Sequence, residues 1–221
     1  MDSALPPLTA TDLPLNLRRL GLQPYVPIWQ QMQAFNAART ADTPDEFWLL
    51  EHEPVYTLGR EGGAEHLLEA GDIPLVRVDR GGQITYHGPG QLVLYLLLDL
   101  RRRRLGVRQL VAQVEAAIID LLAGYGIHSH LLPGAPGVFV ASAKIASLGL
   151  RVSQGCSSHG LALNIAMDLA PFRRINPCGY QGLAVTQLRD LGVVASPNAA
   201  GDLLARGLAQ RLGYHQRVEI A

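Results

Sequence analysis

Lysine occurs once in this chain, at position 144, whereas eighteen arginines supply the rest of the basic charge. Lysine can release its proton near neutral pH when its surroundings disfavour the charge, and arginine cannot. Lys144 is therefore a candidate for proton transfer. A coding bias against lysine would also leave a single survivor, and composition alone does not decide between the two explanations.

A cysteine at position 178 offers a possible nucleophile. Cys178 stands between Pro177 and Gly179, a sequence typical of a turn that holds the sulfur rigid and accessible. The thiolate is the reactive form of cysteine, and a neighbouring ammonium group favours it. With Lys144 as that cation, Cys178 is predicted to attack a substrate. Without such a partner, an inert loop thiol is the simpler interpretation.

A glycine-rich segment runs from Arg80 to Gln91 and precedes an apolar stretch. Its glycines and its proline impose a defined backbone, and polar side chains such as Gln83, Thr85 and His87 stand between them. Such a loop favours ligand binding over the alternative, a hairpin with ordinary turn glycines. The segment lacks the sequence patterns of phosphate-binding and dinucleotide-binding loops.

A third polar segment runs from Cys156 to Asn164 and contains His159. Cys156, His159 and Cys178, with the nearby histidines at 128 and 130, form a conceivable zinc-ligand set. The paired spacings that are typical of zinc sites are missing, so no metal is predicted. A serine nucleophile in a Gly-x-Ser-x-Gly turn is missing as well.

The elements that must position these residues follow from hydrophobic periodicity. Three helices are predicted, at Pro27–Ala38, Arg108–Ala123 and Asn198–Leu212, the last with Ser196 as its N-cap. The predicted strands are Phe47–Glu51, Val55–Leu58, Leu75–Val78, Leu92–Leu98, Val138–Val140, Lys144–Val152 and Leu161–Ile165. Strands outnumber the helices that strict βαβ alternation needs, so we predict an α/β (α+β) fold with a mixed β-sheet and flanking helices.

Bulk composition excludes several classes of protein. The formal net charge is zero, which argues against a nucleic-acid binder that relies on a broad basic surface. The longest apolar run, Leu92–Leu98, is far too short to span a membrane, and the N-terminus does not resemble a signal peptide. Two cysteines suit a reducing compartment, so a cytoplasmic protein is expected. Residues 1–13 are predicted to be flexible and residues 14–221 to form one domain.

Four motifs, in order along the chain, resemble those of the lipoyl/octanoyl transferases, which are octanoyl-[acyl-carrier-protein]:protein N-octanoyltransferases. They are Arg80–Tyr95, Lys144–Gly149, His159–Asn164 and Pro177–Tyr180, and the resemblance spans roughly residues 14–215. Phe139 departs from the pattern, because a tryptophan is expected there. This departure is predicted to alter the acyl pocket without removing a reactive group.

The resemblance implies a fold like that of the catalytic domain of biotin and lipoate protein ligases. It also implies that Cys178 carries the acyl group, that Lys144 activates it, and that no cofactor is needed. His87 and His159 are expected to assist in proton transfer or positioning. The acyl-binding residues that it implies are Arg80, Gly81, Gly82, Gln83, Ile84, Thr85, Tyr86, His87, Ser147, Leu148, Gly149, Gly160, Leu161 and Ala162.

The partners that the resemblance implies are octanoyl-acyl-carrier protein as donor and lipoyl domains as acceptors. The lipoyl domains belong to 2-oxoacid dehydrogenases and to the glycine cleavage H protein. The arginine run Arg101–Arg104 is predicted to be a solvated turn, or else to dock the acidic carrier together with Arg173 and Arg174. Three alternatives stay open: an ATP-dependent ligase of the same fold, a non-catalytic binder of lipoyl domains or carriers, and a thioesterase.

Overall fold

The computed structural model describes residues 14–69, 71–176, 183–215 and 217–220. The predicted flexible segment, residues 1–13, lies outside the described residues. The described strands and α-helices are β1 (Leu15–Gln23), α1 (Tyr25–Ala37), β2 (Asp45–His52), β3 (Val55–Leu58), β4 (Leu75–Arg77), β5 (Ile84–His87), β6 (Gln91–Leu97), α2 (Val107–Gly124), β7 (His130–Leu132), β8 (Ala135–Val140), β9 (Ala143–Ser153), β10 (Cys156–Asn164), α3 (Pro197–Arg211) and β11 (Arg217–Ile220).

The main sheet has eight strands in the order β11-β1-β2-β6-β10-β9-β8-β7. Strand β1 pairs in parallel with both β11 and β2, and the remaining neighbours are antiparallel. The predicted mixed sheet with flanking helices is therefore confirmed.

Alternation along the strands gives the main sheet two different apolar faces. On β6, Leu92 and Leu94 point to the core that α2 and α3 cover, whereas Val93 and Tyr95 point to the smaller core under α1. Successive strand residues point to opposite faces, so this seven-residue apolar run forms a strand that is buried on both sides.

A second, three-stranded sheet has the order β4-β3-β5. Strand β5 lies within the segment that the sequence predicted as a glycine-rich loop, and it pairs antiparallel with β3. Its four residues, Ile84–His87, follow two consecutive glycines, which obscured the strand pattern in the sequence.

Strand β10 begins at Cys156, five residues before the predicted start at Leu161. Its first half pairs with β9 and contains Ser157, Ser158 and His159, which are polar residues that resemble a loop in sequence. Strands β1, β7 and β11 were not predicted. They are edge or near-edge strands of the sheet, where the hydrophobic pattern is weakest.

The arginine run is only partly a solvated turn. Arg101 and Arg104 are exposed, but Arg103 is fully buried, with its guanidinium carbon 3.8 Å from the centroid of the Tyr214 ring. Arg102 forms an ion pair with buried Asp45 at 2.8 Å. The prediction of a solvated turn is therefore wrong for Arg103, which acts as a structural tie to the residues after α3.

Among the described residues, none of the helices has the length and apolar character needed to cross a membrane.

Candidate active site

A narrow pocket lies where the β9–β10 pair of the main sheet faces β5 of the small sheet. Two of its walls come from directly paired residues, because Ser147 lies opposite Ala162 and Gly149 opposite Gly160. The pocket is lined by Tyr25, Arg80, Gly82, Gln83, Ile84, Thr85, His87, Val93, Tyr95, Ser147, Leu148, Gly149, His159, Gly160, Leu161 and Ala162. The segments expected to bind the acyl group, near residues 80–87, 147–149 and 160–162, thus meet at one cavity, together with Tyr25, Val93 and Tyr95.

Most of the residues expected to bind the acyl group line this pocket, but Gly81 and Tyr86 do not. The backbone N–H of Gly81 donates to the carbonyl of Leu150 at 2.9 Å, which fastens the loop to β9. The Tyr86 ring packs away from the pocket, 5.6 Å from the Tyr56 ring centroid and 5.5 Å from that of Phe172. Burial raises the pKa of Tyr86 to about 12, so its phenol stays neutral.

Lys144 lies near the start of β9 and is buried, with 2% of its surface exposed. Its backbone N–H donates to Ala184 at 2.8 Å, and its carbonyl accepts from Thr186 at 3.0 Å. The lysine is therefore fixed to a chain segment that follows Cys178 in sequence. A lysine left by chance in a chain with a coding bias against lysine would be expected at the surface. The burial of Lys144 therefore favours the other explanation, a role in proton transfer.

The side chain of Lys144 occupies space that a glycine leaves open. A Cβ atom at Gly137 would lie 2.4 Å from the carbonyl oxygen of Ala146, and 2.5 Å from Cε and 3.2 Å from Nζ of Lys144. Gly137 also has φ = 126°, a conformation that other residues rarely adopt. Its backbone N–H donates to Glu115 of α2 at 3.2 Å. Helix α2 thus holds the glycine against the lysine.

Phe139 is fully buried under the ammonium group, with its ring centroid 5.5 Å from Lys144 Nζ. It does not line the pocket. The departure from tryptophan therefore affects the surroundings of Lys144 rather than the acyl pocket, which corrects the sequence-based expectation. A tryptophan would offer a stronger cation–π contact at this position.

Cys178 lies outside the described residues. The chain is described up to Asn176, whose N–H donates to the carbonyl of His66 at 2.8 Å, and again from Leu183. The pairing of Cys178 with Lys144 remains a prediction.

A chain of buried amides supports His87 at the pocket. Its Nδ1 lies 2.7 Å from Oε1 of Gln91, and Gln91 Nε2 donates to Oδ1 of Asn164 at 2.9 Å. Asn164 in turn donates to the carbonyl of Thr186 at 3.0 Å. The connection runs from the pocket to the same segment that holds the backbone of Lys144.

His159 enters the pocket because of an unusual backbone. Strand alternation would point it toward the α2–α3 core beside Leu161, but its φ of 58° turns it to the opposite face. There its Nε2 donates to Asp79 at 2.8 Å. A left-handed non-glycine residue costs of order 1 kcal/mol or more, and such strain concentrates at functional sites.

Asp79 joins His159 to two further groups. It accepts a hydrogen bond from Trp29 at 3.0 Å and forms an ion pair with Arg151. Burial opposes its ionisation, but the hydrogen bonds from His159 and Trp29 and the Arg151 charge outweigh it and hold the pKa of Asp79 well below its usual value. Burial lowers the pKa of His159, which favours the neutral ring despite Asp79.

Sequence reasoning missed a second network behind the pocket. His52 Nδ1 lies 2.9 Å from the carbonyl of Gln23, and its Nε2 lies 2.7 Å from the Tyr95 hydroxyl, which also bonds Tyr25. Burial lowers the pKa of His52 to about 4 and raises that of Tyr25 well above its usual value. The available signal in the sequence was Tyr95, a residue with a polar hydroxyl in the middle of the apolar run Leu92–Leu98.

The guanidinium of Arg80 crosses the pocket floor between two glycines. It donates to the carbonyl of Thr57 at 2.7 Å and to the Thr57 hydroxyl at 2.9 Å. A Cβ atom at Gly149 would lie 2.9 Å from Cδ of Arg80, and one at Gly59 would lie 2.8 Å from Nη1. Gly149 therefore leaves room for the Arg80 side chain, whereas Gly59 also lies against the backbone, since its Cβ would be 2.2 Å from the carbonyl oxygen of Gly82. Sequence alone does not distinguish such glycines from turn glycines.

Within the described ranges, no three histidine, cysteine or acidic side chains converge in the manner of a metal site.

Comparison with known proteins identifies the family. Residues 23–209 match the family model described as the lipoyl protein ligase A/B catalytic domain. An octanoyltransferase of Azotobacter vinelandii is 60% identical over 202 residues, which covers 90% of this chain and 92% of the relative. One of Shewanella sp. strain ANA-3 is 56% identical over 207 residues, covering 94% and 95%. The chain belongs to the octanoyltransferases.

Solved structures agree on the fold of this octanoyltransferase. A bipartite lipoate protein ligase of Thermoplasma acidophilum superposes with a TM-score of 0.73 at 15% identity, covering 95% of this chain and 88% of the other. A biotin protein ligase of Aquifex aeolicus gives a TM-score of 0.57 at 12% identity, covering 89% and 70%. The expected likeness to the biotin and lipoate ligase domain is confirmed, and at these identities it concerns the fold alone.

Proposed function

We propose that this acyltransferase moves an octanoyl group from octanoyl-acyl-carrier protein to the ε-amine of a lysine on a lipoyl domain. The acceptors are lipoyl domains of 2-oxoacid dehydrogenases and the glycine cleavage H protein. The observation that carries this proposal is the burial of the chain's single lysine next to residues 184–186, which follow Cys178 in sequence. Burying a lysine side chain is unfavourable for the free energy of folding, so a buried lysine is typical of a site where its charge or its proton has a role.

In the first half-reaction the Cys178 thiolate attacks the thioester carbonyl of the donor. A carbon–sulfur bond to Cys178 forms, the bond to the carrier's sulfur breaks, and Lys144 gives a proton to the departing thiolate. One thioester replaces another, so the free-energy change of this step is close to zero.

In the second half-reaction the acceptor amine attacks the Cys178 thioester. A carbon–nitrogen bond forms, the carbon–sulfur bond breaks with Cys178 leaving as the thiolate, and Lys144, neutral after the first half-reaction, takes the proton that the amine loses. The thioester is activated relative to the amide, so the overall transfer is downhill and needs no ATP. The absence of a phosphate-binding sequence pattern supports this proposal.

We further propose that residues 14–221 form a single catalytic domain. The pairing of β1 with β11 supports it, because the two ends of the described chain lie side by side in the main sheet.

The test is incubation of the enzyme with octanoyl-acyl-carrier protein, followed by intact-protein mass spectrometry before and after adding a lipoyl domain. The expected result is an octanoyl adduct on the enzyme that disappears as the lipoyl domain gains the same mass. Cys178→Ser should abolish both the labile adduct and the transfer, while Cys156→Ser serves as the matched cysteine control. An adduct that persists in Cys178→Ser contradicts the assignment of the nucleophile.

The role of Lys144 is tested separately by Lys144→Arg, which keeps the positive charge but cannot release a proton near neutral pH. We expect transfer to fall by roughly 100-fold or more, the usual contribution of general acid–base catalysis. Full activity in this variant would reduce Lys144 to a fixed charge.

The same assay separates the alternatives. An ATP-dependent ligase would release pyrophosphate with free lipoate, a thioesterase would release octanoate without modifying the lipoyl domain, and a non-catalytic binder would bind without turnover and tolerate Cys178→Ala.

A further inference from the structure

His87 presents one ring nitrogen to the pocket and is otherwise enclosed. It is 7% exposed, and its Nδ1 lies 2.7 Å from Oε1 of Gln91. The identity of the donor in this contact decides what the other nitrogen, Nε2, can do. In a neutral imidazole one nitrogen carries hydrogen and the other accepts.

The surrounding amides determine the direction of that hydrogen bond. Asn164 Nδ2 can only donate to the carbonyl of Thr186, so Asn164 Oδ1 faces Gln91 and accepts from its Nε2. Gln91 Nε2 also donates to the carbonyl of Tyr86 at 3.2 Å. Gln91 therefore turns its oxygen to His87, whose Nδ1 must carry the hydrogen. The lone pair is left on Nε2.

The groups around His87 keep it neutral. Burial lowers its pKa to about 3, helped by the positive charge of Arg80 and by those that His52 and His159 acquire once they are protonated, and opposed by the Gln91 bond. Tyr25 stacks on the ring with centroids 6.0 Å apart, and its own raised pKa keeps the phenol uncharged. Near neutral pH, His87 is therefore available to accept a hydrogen bond through Nε2.

We propose that Gln91 and Asn164 are positioning residues that hold His87 as the tautomer whose Nε2 accepts a hydrogen bond from the ε-amine of the acceptor lysine. The inference rests on the proposed function. A thioester has no N–H or O–H at its reacting carbon, whereas the attacking primary amine has N–H groups to donate. His87 directs the amine's lone pair toward the thioester, and the proton released when the amide forms leaves by way of Lys144.

The position of Asn164 supports this role. Its side chain bonds the carbonyl of Thr186 while the N–H of Thr186 bonds the carbonyl of Lys144. The backbone N–H of Leu188 also donates to the carbonyl of Asn164 at 3.1 Å. A single asparagine therefore couples the orientation of His87 to the segment that holds the proposed proton carrier.

The test measures the two half-reactions separately in Gln91→Glu and Gln91→Leu, with Gln113→Glu as the control. Gln113 is a buried glutamine on α2 and does not line the pocket. Rapid quenching gives the rate of acyl-enzyme formation from octanoyl-acyl-carrier protein, and then the rate of transfer from the acyl-enzyme to a lipoyl domain between pH 6 and 8.5.

In Gln91→Glu the new carboxylate accepts the Nδ1 hydrogen and stabilises the imidazolium, so the pKa of His87 rises. A protonated Nε2 cannot accept a hydrogen bond from the acceptor amine. Relative to the parent enzyme, transfer should fall roughly tenfold or more at pH 6 and recover toward pH 8.5, with acylation changed by less than about threefold. Gln91→Leu should slow transfer at every pH, and Gln113→Glu should change neither step.

Equal losses in both half-reactions, or a Gln91→Glu profile parallel to that of the parent enzyme, would overturn the inference. A second measurement needs no variant: nitrogen NMR of the histidine-labelled enzyme should show Nδ1 protonated and Nε2 bare on His87 down to pH 5.5. The opposite tautomer would overturn it too. Failure of the proposed function looks different, because the parent enzyme would then form no acyl-enzyme at all.

Discussion

Gly137 and Lys144 illustrate how a residue with no side chain determines where a reactive one can lie. The lysine's terminal atoms fill the volume that a Cβ atom at Gly137 would occupy, and the Phe139 ring lies beneath them. The sequence identified the lysine from composition, but it gave no reason to connect a glycine seven residues earlier with it. The connection arises from the β8–β9 pairing.

We expect Gly137→Ala to reduce transfer by roughly 100-fold or more, because the added methyl group would overlap both the carbonyl oxygen of Ala146 and Cε of Lys144, which displaces the lysine amine from its position. The matched control is Gly207→Ala in α3, where a Cβ atom meets nothing within 4 Å. That control should keep full activity and gain up to about 1 kcal/mol of helix stability. Steady-state kinetics and thermal unfolding of both variants measure these effects, and an active Gly137→Ala enzyme would contradict the steric argument.

The buried histidines predict how stability depends on pH. In the folded protein the pKa is lowered to about 4 for His52 and about 3 for His87, whereas the unfolded value is about 6.5. The unfolded chain therefore binds more protons below pH 6.5, and the stability that is fully present above that pH is lost as pH falls toward 4.

Each of these histidines should lower the free energy of unfolding by about 1 kcal/mol between pH 7.5 and 5.5. Urea unfolding at several pH values measures how the free energy of unfolding changes with pH. His52→Gln should reduce that change by about 1 kcal/mol, the contribution of one histidine. A stability that stays flat over this range would show that these rings are not held neutral.

At the scale of elements, the strand pairs rather than the loops shape the pocket. The predicted glycine-rich loop contains β5, and the polar start of β10 is strand rather than turn. Gly160 shows why the pairing needs particular residues, because a Cβ atom there would overlap the carbonyl oxygen of Leu94 on β6. Helix α3 was more predictable, since Ser196 caps it through Ala199 at 3.2 Å as expected.

The arginine run yields a prediction about how elements are joined. Arg103 donates to the carbonyl of Leu212 and stacks on Tyr214, so it ties the connection before α2 to the end of α3. Arg103→Ala should destabilise the protein by about 3 kcal/mol, since it leaves buried acceptors without a donor. The exposed neighbour gives the control: Arg101→Ala should cost less than about 0.5 kcal/mol. Equal effects in urea unfolding would contradict the structural role.

In the molecule as a whole, the two arginine groups proposed to dock the acyl carrier lie near different ends of β9. The side chain of Arg101 packs against Gly155 at the β9–β10 turn, whereas Lys144 is at the other end of β9. Nine residues of strand separate Lys144 from Ser153, which is about 30 Å. Arg173 is exposed and lines a cavity together with Ala184, whose carbonyl accepts from the backbone N–H of Lys144 at 2.8 Å.

Charge reversal distinguishes these two sites. Arg173→Glu should raise the apparent KM for the octanoyl-acyl-carrier protein by several-fold at low salt, and less at high salt because of screening. Arg101→Glu, the matched control at the distant turn, should leave the KM unchanged. An unchanged KM in Arg173→Glu would contradict docking near residue 173.

The family and the class of fold could be predicted from the sequence, which also marked the residues that are predicted to carry the chemistry. A single lysine, a cysteine between proline and glycine, and four ordered motifs are properties of the linear chain, and strong periodicity marks α2 and β6. The tertiary structure was needed to show that Phe139 and Gly137 surround Lys144. It was also needed to show that Arg103 points inward. The same holds for the hydrogen bonds by which Gln91 and Asn164 orient His87. These contacts join residues across different strands, and their geometry depends on register and backbone handedness, which local sequence patterns do not encode.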